Sequence, residues 1–534
     1  MSRPYWPWQA RLADKAYNLP MARGSGILLS DNLFGCKPGA TAVVGFQDGM
    51  VTTVHEPAEH ELPSLLQLPV GDILDFRGKL VLPGLIDAHL HAIPTGMMML
   101  DGSVRGVSSR EELRAKIDDA AADGREFIRL IGLDSSRFDP ADLASLDRAW
   151  LDDVLGDRPL FLKSVEGHSG WFNTLAWKRM GVDAVLKDLK LLQDVRNEMH
   201  ASGRVYGNSY EHLTTPIYDS YTFDERREGM ELVIAEAKRV GLTGLHCMEG
   251  YGDSRRHDFE LMLELDRRDD IDLVLYCRDD TPQTAYELGV PRFGGCWCAD
   301  GAIGAHSAAL AEPYADKPES DGELYFNDGE LADWIEAGLK LDMQVTVHAI
   351  GERALDQCLR IYEGFAGKYN LDRLRPRVDH YVMGTAELAQ RGAVLGICSA
   401  MQPAFDAYWG GTESGYAQRL GPQRALRSNP LKLMQDNGLK IAGSSDCYIT
   451  PLDPLGGIRA AMNHHNPAMR LDFEAAVNLF SKDAAYLARQ ESDRGRIAPG
   501  YQADFTAVDG ERDLAPDAAV SATIKLGKVV HRAP

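Results

Sequence analysis

His89 and His91 are the residues whose type and spacing point most directly to chemistry, because they end an apolar run two positions apart. Alternate residues of a β-strand face the same side, so both imidazoles can point into one site and bind one divalent ion. Asp87 has the same parity, and we expect it to orient a metal-bound ring. Taken alone the pair is a weak indication, because two histidines are more often surface or packing residues.

Three further residues of ligand type strengthen this indication. His348 ends the segment MQVTVH, His380 ends RVDH, and Asp446 follows IAGSS. Each lies at the C-terminal end of a separate predicted strand, and the active sites of βα barrels lie on that face. The set therefore predicts a divalent-metal centre. Nitrogen and oxygen ligands suit zinc, although manganese, iron and nickel also accept them.

The elements that must position these residues alternate between strand-like and helix-like segments through the middle of the chain. The segments that read as buried strands are 82–88, 242–247, 272–277, 293–299, 343–348, 377–381, 394–399 and 439–445. Helical stretches separate most of them, at 224–240, 255–268, 328–341, 351–366 and 383–392. Parallel strands in this number, with helices between them, predict an α/β fold of the (β/α)8 TIM-barrel type.

Both ends of the chain have a different pattern, in which short apolar runs alternate with turns, as in the antiparallel β structure predicted for 41–83. We interpret the two ends as one composite β-sandwich domain made of residues 1–82 and 490–534. The barrel domain then covers 83–489. Residues from about 100 to 225 break the alternation, and we predict that they form an insertion after barrel strand 1.

Composition limits the classes of function. The net charge is 57 − 79 = −22, and because such a surface repels phosphate backbones we expect no nucleic-acid partner. No apolar run of 18 residues occurs and the N-terminal segment has no apolar core, so we expect neither a membrane span nor a secretion signal. The eight cysteines include no CxxC pair, which predicts reduced thiols in a cytoplasmic protein.

Several segments together resemble the amidohydrolase superfamily, and most of all its branch of N-substituted formamide deformylases and YtcJ-like hydrolases. They are GKLVLPGLIDAHLH at 78–91, ADGAIG at 299–304, VHAIGERA at 347–354, VDH at 378–380, GSSD at 443–446, and GRIAPG at 495–500 with Ala503 and Asp504. The resemblance extends over nearly the whole chain. It implies a TIM barrel that carries one or two divalent ions, a composite β-sandwich, a small-molecule substrate and a homodimer.

Carried over to this sequence, the resemblance implies that His89, His91 and Asp446 bind the more buried ion and that Asp446 also shuttles a proton. His348 and His380 would bind a second ion, or would orient the substrate if only one ion is present. The catalytic residues that it implies are Asp446, His168 and His380.

The chain departs from the family at one ligand position. Many members have a carboxylated lysine that bridges two ions, four residues before an Asp-Gly pair, and here Cys296 occupies that position. A thiolate can also bridge metals, as in relatives that deacylate N-acyl-D-amino acids, so Cys296 is a candidate ligand. Cys298 has the same strand parity and is a lesser candidate. The alternative is a small buried cysteine beside a single ion.

Candidate substrate contacts lie in three other segments. Residues 166–173, EGHSGWFN, are similar to a DGH…N segment of the branch; this implies that His168 lies over the metal centre and could polarise a substrate carbonyl, with Asn173 nearby. His306 stands where relatives often have an arginine. Trp409 follows the seventh strand, where it suits an apolar pocket wall. For each of these residues a packing or structural role is the alternative.

The function that these residues favour is hydrolysis of a non-peptide C–N bond by metal-activated water, in an amide, an N-acyl amine or an N-formyl amine. Within metal chemistry, the alternative is a deaminase or a cyclic-amide hydrolase. An alternative of another class is a barrel that binds a ligand without catalysis. The complete set of histidine and aspartate ligands argues against that last possibility.

Overall fold

The computed structural model describes residues 23–57, 71–122, 124–164, 169–189, 193–206, 208–250 and 252–534. The chain divides into two compact units. The first contains the described residues up to Ala92 together with Ile234–Gly250 and Asp258–Pro534, and the second contains Ile93–Val233 and Tyr251–His257. No helix in the described ranges is both long and apolar enough to cross a bilayer. Strands and helices are numbered below in chain order.

The first unit contains a nearly closed sheet of eight parallel strands, which confirms the predicted TIM-barrel class. They are β7 (Leu85–Leu90), β13 (Leu242–Glu249), β14 (Asp272–Cys277), β15 (Arg292–Cys298), β16 (Gln344–Ala349), β17 (Arg377–His380), β18 (Cys398–Met401) and β19 (Lys440–Gly443). The chain after β19 returns to β7, where the amide of Asp446 donates to the carbonyl of His89 over 2.9 Å. The C-terminal ends of the strands therefore form one rim.

The helices of this unit have one buried face each, as expected around a parallel sheet. In the helix Glu352–Phe365, for example, the buried residues include Leu355, Leu359 and Tyr362, at helical spacing. The helices are α10 (Phe223–Arg239) and α11 (Arg255–Asp266), which both begin in the second unit, α12 (Gln283–Glu287), α13 (Asp328–Lys340), α14 (Glu352–Phe365), α15 (Leu371–Leu374), α16 (Ala386–Val394), α17 (Pro403–Trp409), α18 (Gly415–Leu420), α19 (Pro422–Ala425), α20 (Leu431–Asp436), α21 (Pro454–Met462), α22 (Phe473–Leu479) and α23 (Lys482–Leu487).

Strand β15 contains a bulge just before its C-terminal end. Its pairing with β16 shifts register between Phe293 and Trp297. Gly294, Gly295 and Cys296 have successive φ angles of 115°, 42° and 70°, and a Cβ on Gly294 would lie 2.1 Å from a backbone oxygen of β16. The two glycines are therefore needed for this path. The bulge sets the position of Cys296 at the rim.

The first unit has two smaller sheets, one made of strands from the N-terminal part of the described chain and one that combines strands from both of its ends. One has the order β4-β3-β1-β5 and the other β2-β6-β20-β21-β22. Their apolar residues share one core cluster, which contains Leu28, Phe46 and Phe505. The strands are β1 (Gly26–Ser30), β2 (Asn32–Leu33), β3 (Ala42–Gln47), β4 (Met50–His55), β5 (Asp72–Asp75), β6 (Leu80–Pro83), β20 (Phe505–Asp509), β21 (Ala519–Lys525) and β22 (Lys528–Arg532).

The expectation of antiparallel pairing in this composite sandwich is only partly right. A tight turn joins β3 to β4, and these two strands are antiparallel. However, β5 pairs in parallel with β1, and β6 in parallel with β2. Longer connections join these pairs, and only such connections allow parallel neighbours. The domain limits 1–82 with 490–534, and 83–489, stay a prediction.

The main segment of the second unit, Ile93–Val233, follows β7 in the chain and precedes β13, which agrees with an insertion after barrel strand 1. It has its own five-stranded sheet, ordered β12-β11-β10-β9-β8. Its strands are β8 (Gly102–Ser103), β9 (Ile128–Leu133), β10 (Leu160–Ser164), β11 (Ser169–Phe172) and β12 (Arg204–Tyr206). Its helices are α1 (Ala92–Leu100), α2 (Arg110–Ala122), α3 (Pro140–Ala144), α4 (Arg148–Val154), α5 (Thr174–Arg179), α6 (Val182–Asp188), α7 (Gln193–Ser202), α8 (Asn208–Glu211) and α9 (Thr214–Asp219).

Two predicted barrel strands have different limits in the structure. The segment 82–88 divides at Gly84 between β6 and β7, where a Cβ would lie 2.4 Å from the Thr243 hydroxyl. The segment 394–399 begins too early, because helix α16 continues to Val394 and a turn with Gly396 at φ 70° precedes β18. In both places glycine breaks an apolar run that resembles one strand.

Candidate metal centre

The rim of the barrel brings His89, His91 and Asp446 together, as the sequence predicts. Asp446 Oδ1 lies 3.2 Å from Nε2 of His91 and 3.5 Å from Nε2 of His89, and all three side chains are buried. A tetrahedral site with bonds of about 2.0–2.1 Å holds its ligand atoms about 3.3–3.4 Å apart. Both distances from Asp446 are therefore close to the separation that one zinc ion requires, and all three ligand atoms lie within 4.8 Å of one another.

In His89, His91 and His380 the outer ring nitrogen, Nδ1, is fixed by a hydrogen-bond acceptor. Nδ1 of His89 lies 2.8 Å from Oδ2 of Asp379, Nδ1 of His91 lies 3.1 Å from the carbonyl of Met248, and Nδ1 of His380 lies 2.9 Å from Oε1 of Gln402. Because these partners can only accept, each Nδ1 carries the proton and donates it. The lone pair is then on Nε2, which is the form that binds metals.

The inner nitrogen of His89 provides a test of whether a metal fits. Its Nε2 is buried and has no hydrogen-bond partner among the described residues. A buried polar atom without a partner costs about 1–3 kcal/mol. A divalent ion between His89, His91 and Asp446 would satisfy that atom, so the donor set fits a metal.

Asp379 orients His89, although the sequence prediction assigned such a role to Asp87. The carboxylate of Asp87 instead accepts the backbone N–H groups of His89 and Ser445, each over 3.1 Å. Asp379 contacts the ring itself and also accepts two hydrogen bonds from the buried guanidinium of Arg377, over 2.7 and 3.1 Å. Burial opposes ionisation, but Arg377 and His89 outweigh it and hold the pKa of Asp379 well below its usual value.

Cys296, His348 and His380 form a second group at the rim. Cys296 Sγ lies 3.8 Å from His348 Nδ1 and 3.9 Å from His380 Nε2, close to the separation of about 3.6 Å expected for sulfur and nitrogen on one zinc ion. The two imidazoles are 4.3 Å apart between ring centroids. The ligand atoms of His89, Cys296 and His380 also lie within 4.8 Å of one another. The sulfur of Cys296 is therefore next to both groups.

The charge states of the centre suit cation binding. Burial lowers the pKa of His89 and of His348, and it lowers that of His380 to about 4, so these rings are neutral at neutral pH. Burial also opposes ionisation of Asp446, but its hydrogen bond to His91 and the charge of His89 lower its pKa to about 2. Burial lowers the pKa of His91 as well, but the hydrogen bond and the charge of Asp446 outweigh it and raise that pKa. The centre thus offers three neutral imidazoles, His91 and one carboxylate.

Three residues of the centre have a positive φ angle. The values are 70° for Cys296, 80° for His380 and 53° for Asp446. Such a backbone costs a residue other than glycine about 1–3 kcal/mol, and it is found most often at functional sites. All three lie at or near the C-terminal end of a barrel strand, so the strain is concentrated where the candidate ligands converge.

The predicted substrate residues have different environments. His168 lies outside the described residues, and its role stays a prediction. Asn173 is buried, and its amide caps helix α5, bonding the amides of Leu160 and Ala176 and the carbonyls of Leu155 and Arg158. The structure gives Asn173 a structural role, because no hydrogen-bonding position of its side chain is left for a substrate.

The other two substrate candidates lie in the first unit. His306 has its Nε2 atom 2.9 Å from Asp316, an ion-pairing distance. Trp409 packs edge-on against Phe405 at 5.1 Å, and the Phe405 ring lies parallel to that of His380 at 6.4 Å. The aromatic pair thus extends from a candidate ligand of the second group. Substrate contact stays a prediction for both His306 and Trp409.

Sequence reasoning missed the residues that hold the rings in place. Asp379, within β17, accepts a hydrogen bond from His89, and Gln402, directly after β18, accepts one from His380. Asp379 directly precedes His380 in the VDH motif, and this position beside a candidate ligand was the one sequence feature that could have indicated its role. Its partner His89 lies on β7, and no local pattern predicts which distant side chain a strand residue will contact.

Comparisons with known proteins agree with this geometry. The model of the amidohydrolase family matches residues 72–531. The putative amidohydrolase YtcJ of Bacillus subtilis is 27% identical over 88% of this chain and 91% of its own length. N-substituted formamide deformylase of Arthrobacter pascens is 23% identical over 83% and 85%. An uncharacterized metal-dependent hydrolase from Pyrococcus furiosus superposes with a TM-score of 0.73 at 25% identity, over 91% of this chain and all of that one.

Proposed function

The chain belongs to the amidohydrolase family, and from that premise we propose that it hydrolyses a non-peptide C–N bond in an amide, an N-acyl amine or an N-formyl amine. Membership of this family makes the protein a metal-dependent hydrolase, and the type of bond cleaved and the class of substrate are our proposal. The proposal rests mainly on the convergence of His89 Nε2, His91 Nε2 and Asp446 Oδ1, within the part of the chain that the structure describes, where the Nε2 of His89 has no hydrogen-bond partner.

We propose zinc as the ion in the cell. His89, His91 and Asp446 would bind the first ion, and Cys296, His348 and His380 would bind a second ion or contact the substrate. The mixture of imidazole, carboxylate and thiolate donors supports zinc over magnesium or calcium, which prefer oxygen ligands alone.

A divalent ion in this position supplies an acidified water as the nucleophile at neutral pH. Asp446 is ionised before the reaction, because its pKa is lowered to about 2. Its carboxylate can therefore accept the proton of the attacking water and then donate it to the leaving nitrogen, which is poor as a leaving group until protonated. Gln402 holds His380 with the proton on Nδ1, so the lone pair of Nε2 can accept a hydrogen bond from an N–H group of the substrate.

The aromatic pair Phe405 and Trp409 supports an apolar or aromatic substituent on the substrate. Replacing Trp409 with alanine is expected to raise KM more than it lowers kcat, and to lower kcat/KM about tenfold for aromatic N-acyl amines, because an indole face worth about 1.5–3 kcal/mol of apolar contact is lost. Substrates with small substituents should be affected less. Tyr286→Ala, at an exposed ring on α12, is the control. Equal losses for both substrate classes would contradict a pocket role.

The test of the function is a substrate panel for the zinc-loaded full-length protein. The panel contains N-formyl amines, N-acyl amines with small and aromatic groups, cyclic amides and amino-heterocycles. We expect stoichiometric release of an amine and a carboxylic acid, and loss of turnover when a chelator removes the metal. Release of ammonia from an amino-heterocycle without an acid product would instead support a deaminase.

A homodimer and a cytoplasmic location also remain proposals, and both derive from the family resemblance and the cysteine pattern. Light scattering of the purified chain would measure the mass in solution. A mass of one chain, close to 58.8 kDa, would contradict the dimer.

A further inference from the structure

Cys298 has no part in the centre proposed above, although it lies beside one of its ligands. Beyond the bulge in β15 regular pairing with β16 resumes, and the register places Cys298 directly opposite His348. The ligand atoms of Cys296, Cys298 and His348 all lie within 4.8 Å of one another. The spacing of three potential ligands is thus set by the sheet itself.

The orientation of His348 differs from that of the other histidines of the centre. Its Nε2 lies 3.3 Å from the carbonyl of Gly301, which can only accept, so Nε2 carries the proton. The lone pair is therefore on Nδ1, and Nδ1 lies 3.8 Å from Cys296 Sγ. His89, His91 and His380 present Nε2 instead. The hydrogen bond from Nε2 to the carbonyl of Gly301 therefore directs the Nδ1 lone pair of His348 toward the sulfur atoms.

We propose that Cys298 is a metal ligand, that Cys296, Cys298 and His348 bind the second divalent ion through two thiolates and one imidazole, and that His380 then contacts the substrate instead of that ion. The proposal rests on the proposed function only in that the first ion belongs to His89, His91 and Asp446. Cys296 lies next to both groups, so its sulfur can join the two ions. Cys298 belongs to the second ion alone.

This ligand set predicts a particular selectivity. Two thiolates favour thiophilic ions such as zinc, cadmium and cobalt over magnesium and manganese. Three protein ligands also leave one position of a tetrahedral ion open, as catalytic zinc sites do. Cys298 and His348 are the partly exposed members of the set. The open position would therefore be accessible to water or to a substrate atom.

A structural role for Cys298 is the competing explanation, because its thiol can donate to the carbonyl of Cys296, which lies 3.5 Å away. Serine can make the same hydrogen bond and is a much poorer metal ligand. Cys298→Ser therefore keeps the structural contact and removes the proposed ligand. Cys398→Ala is the matched control, because it removes a buried thiol from the first residue of β18, at the opposite end of the barrel.

The experiment is a cobalt titration of the metal-free full-length protein, followed by absorption spectroscopy and by metal analysis. We expect the wild type and Cys398→Ala to bind two equivalents and to develop a near-ultraviolet band of sulfur-to-cobalt charge transfer. Cys298→Ser should lose about a third of that band, because one of three sulfur–cobalt contacts is gone when Cys296 joins both ions, and it should bind the second equivalent at least about tenfold more weakly. It should still bind the first equivalent, which also reports that the barrel is folded.

An unchanged band and an unchanged second equivalent in both Cys298→Ser and Cys298→Ala would overturn the proposal. So would loss of the first equivalent alone, since Cys298 would then serve the other ion. Hydrolysis is measured separately on the substrate panel. If the expected spectra are seen but no substrate is hydrolysed, the proposed function is contradicted and the Cys298 site is supported. If the enzyme is active but no thiolate band develops, the Cys298 site is contradicted and the proposed function is supported.

Discussion

Replacing Asp446 with asparagine is expected to lower kcat by a factor of about 10²–10⁴, because the side chain can no longer take a proton from water and return it to the leaving nitrogen. The variant should still bind most of one equivalent of metal at the first site. The amide oxygen can still contact it, and His89 and His91 keep their outer hydrogen bonds to Asp379 and to the backbone. Steady-state kinetics and metal analysis of the same preparation measure the two effects.

Asp436→Asn is the control for this variant, since Asp436 is an exposed carboxylate at the end of α20 that pairs with Lys432 in an i,i+4 contact. It should keep the wild-type kcat. Wild-type turnover in Asp446→Asn would refute the proton transfer. Loss of all bound metal would show that the carboxylate acts mainly as a ligand.

Replacing Asp379 with asparagine is expected to weaken binding of the first ion by about 10–100-fold, the usual cost of losing a residue that orients a metal-bound imidazole. Asp379 is a positioning residue, because it contacts His89 and not the ligand space. The same change leaves the buried guanidinium of Arg377 without its counter-ion. Breaking a buried pair costs about 3–5 kcal/mol, so the thermal midpoint of the metal-free protein should also fall.

Asp342→Asn is the matched control, because Asp342 forms an exposed ion pair with Arg373 on the same unit. Exposed pairs contribute about 0–1 kcal/mol, so little change is expected. Zinc affinity and the thermal midpoint of the metal-free chain are measured separately. A lower midpoint with unchanged zinc affinity would leave Asp379 a role in stability but none in positioning His89.

The sequence predicts much of the fold for a physical reason. Strands of a parallel barrel are buried on both faces, so they form short apolar runs that amphipathic helices separate. That pattern located all eight strands, and the polar residues at their ends, such as His348 and His380, stood out against it. Because parallel strands share one rim, position along the chain was enough to predict which of these residues converge.

What the sequence could not provide depends on contacts between distant strands. The anchoring of His89 by Asp379 joins β7 to β17, and no local period encodes that pairing. The opposite orientation of His348 depends on the carbonyl of Gly301. Asn173 matched a family motif, yet it proved to be a helix cap whose hydrogen bonds are all internal. In each case the partner, and not the residue type, decides the role.

The most direct test of the central claim is a zinc titration of the metal-free protein, with turnover of the best substrate from the panel as the readout. We expect no turnover without metal, a rise with the first equivalent of zinc, and no such rise in His89→Ala, which lacks one of the three ligands of that ion. Turnover by metal-free protein at the rate of the zinc-loaded enzyme would contradict that claim.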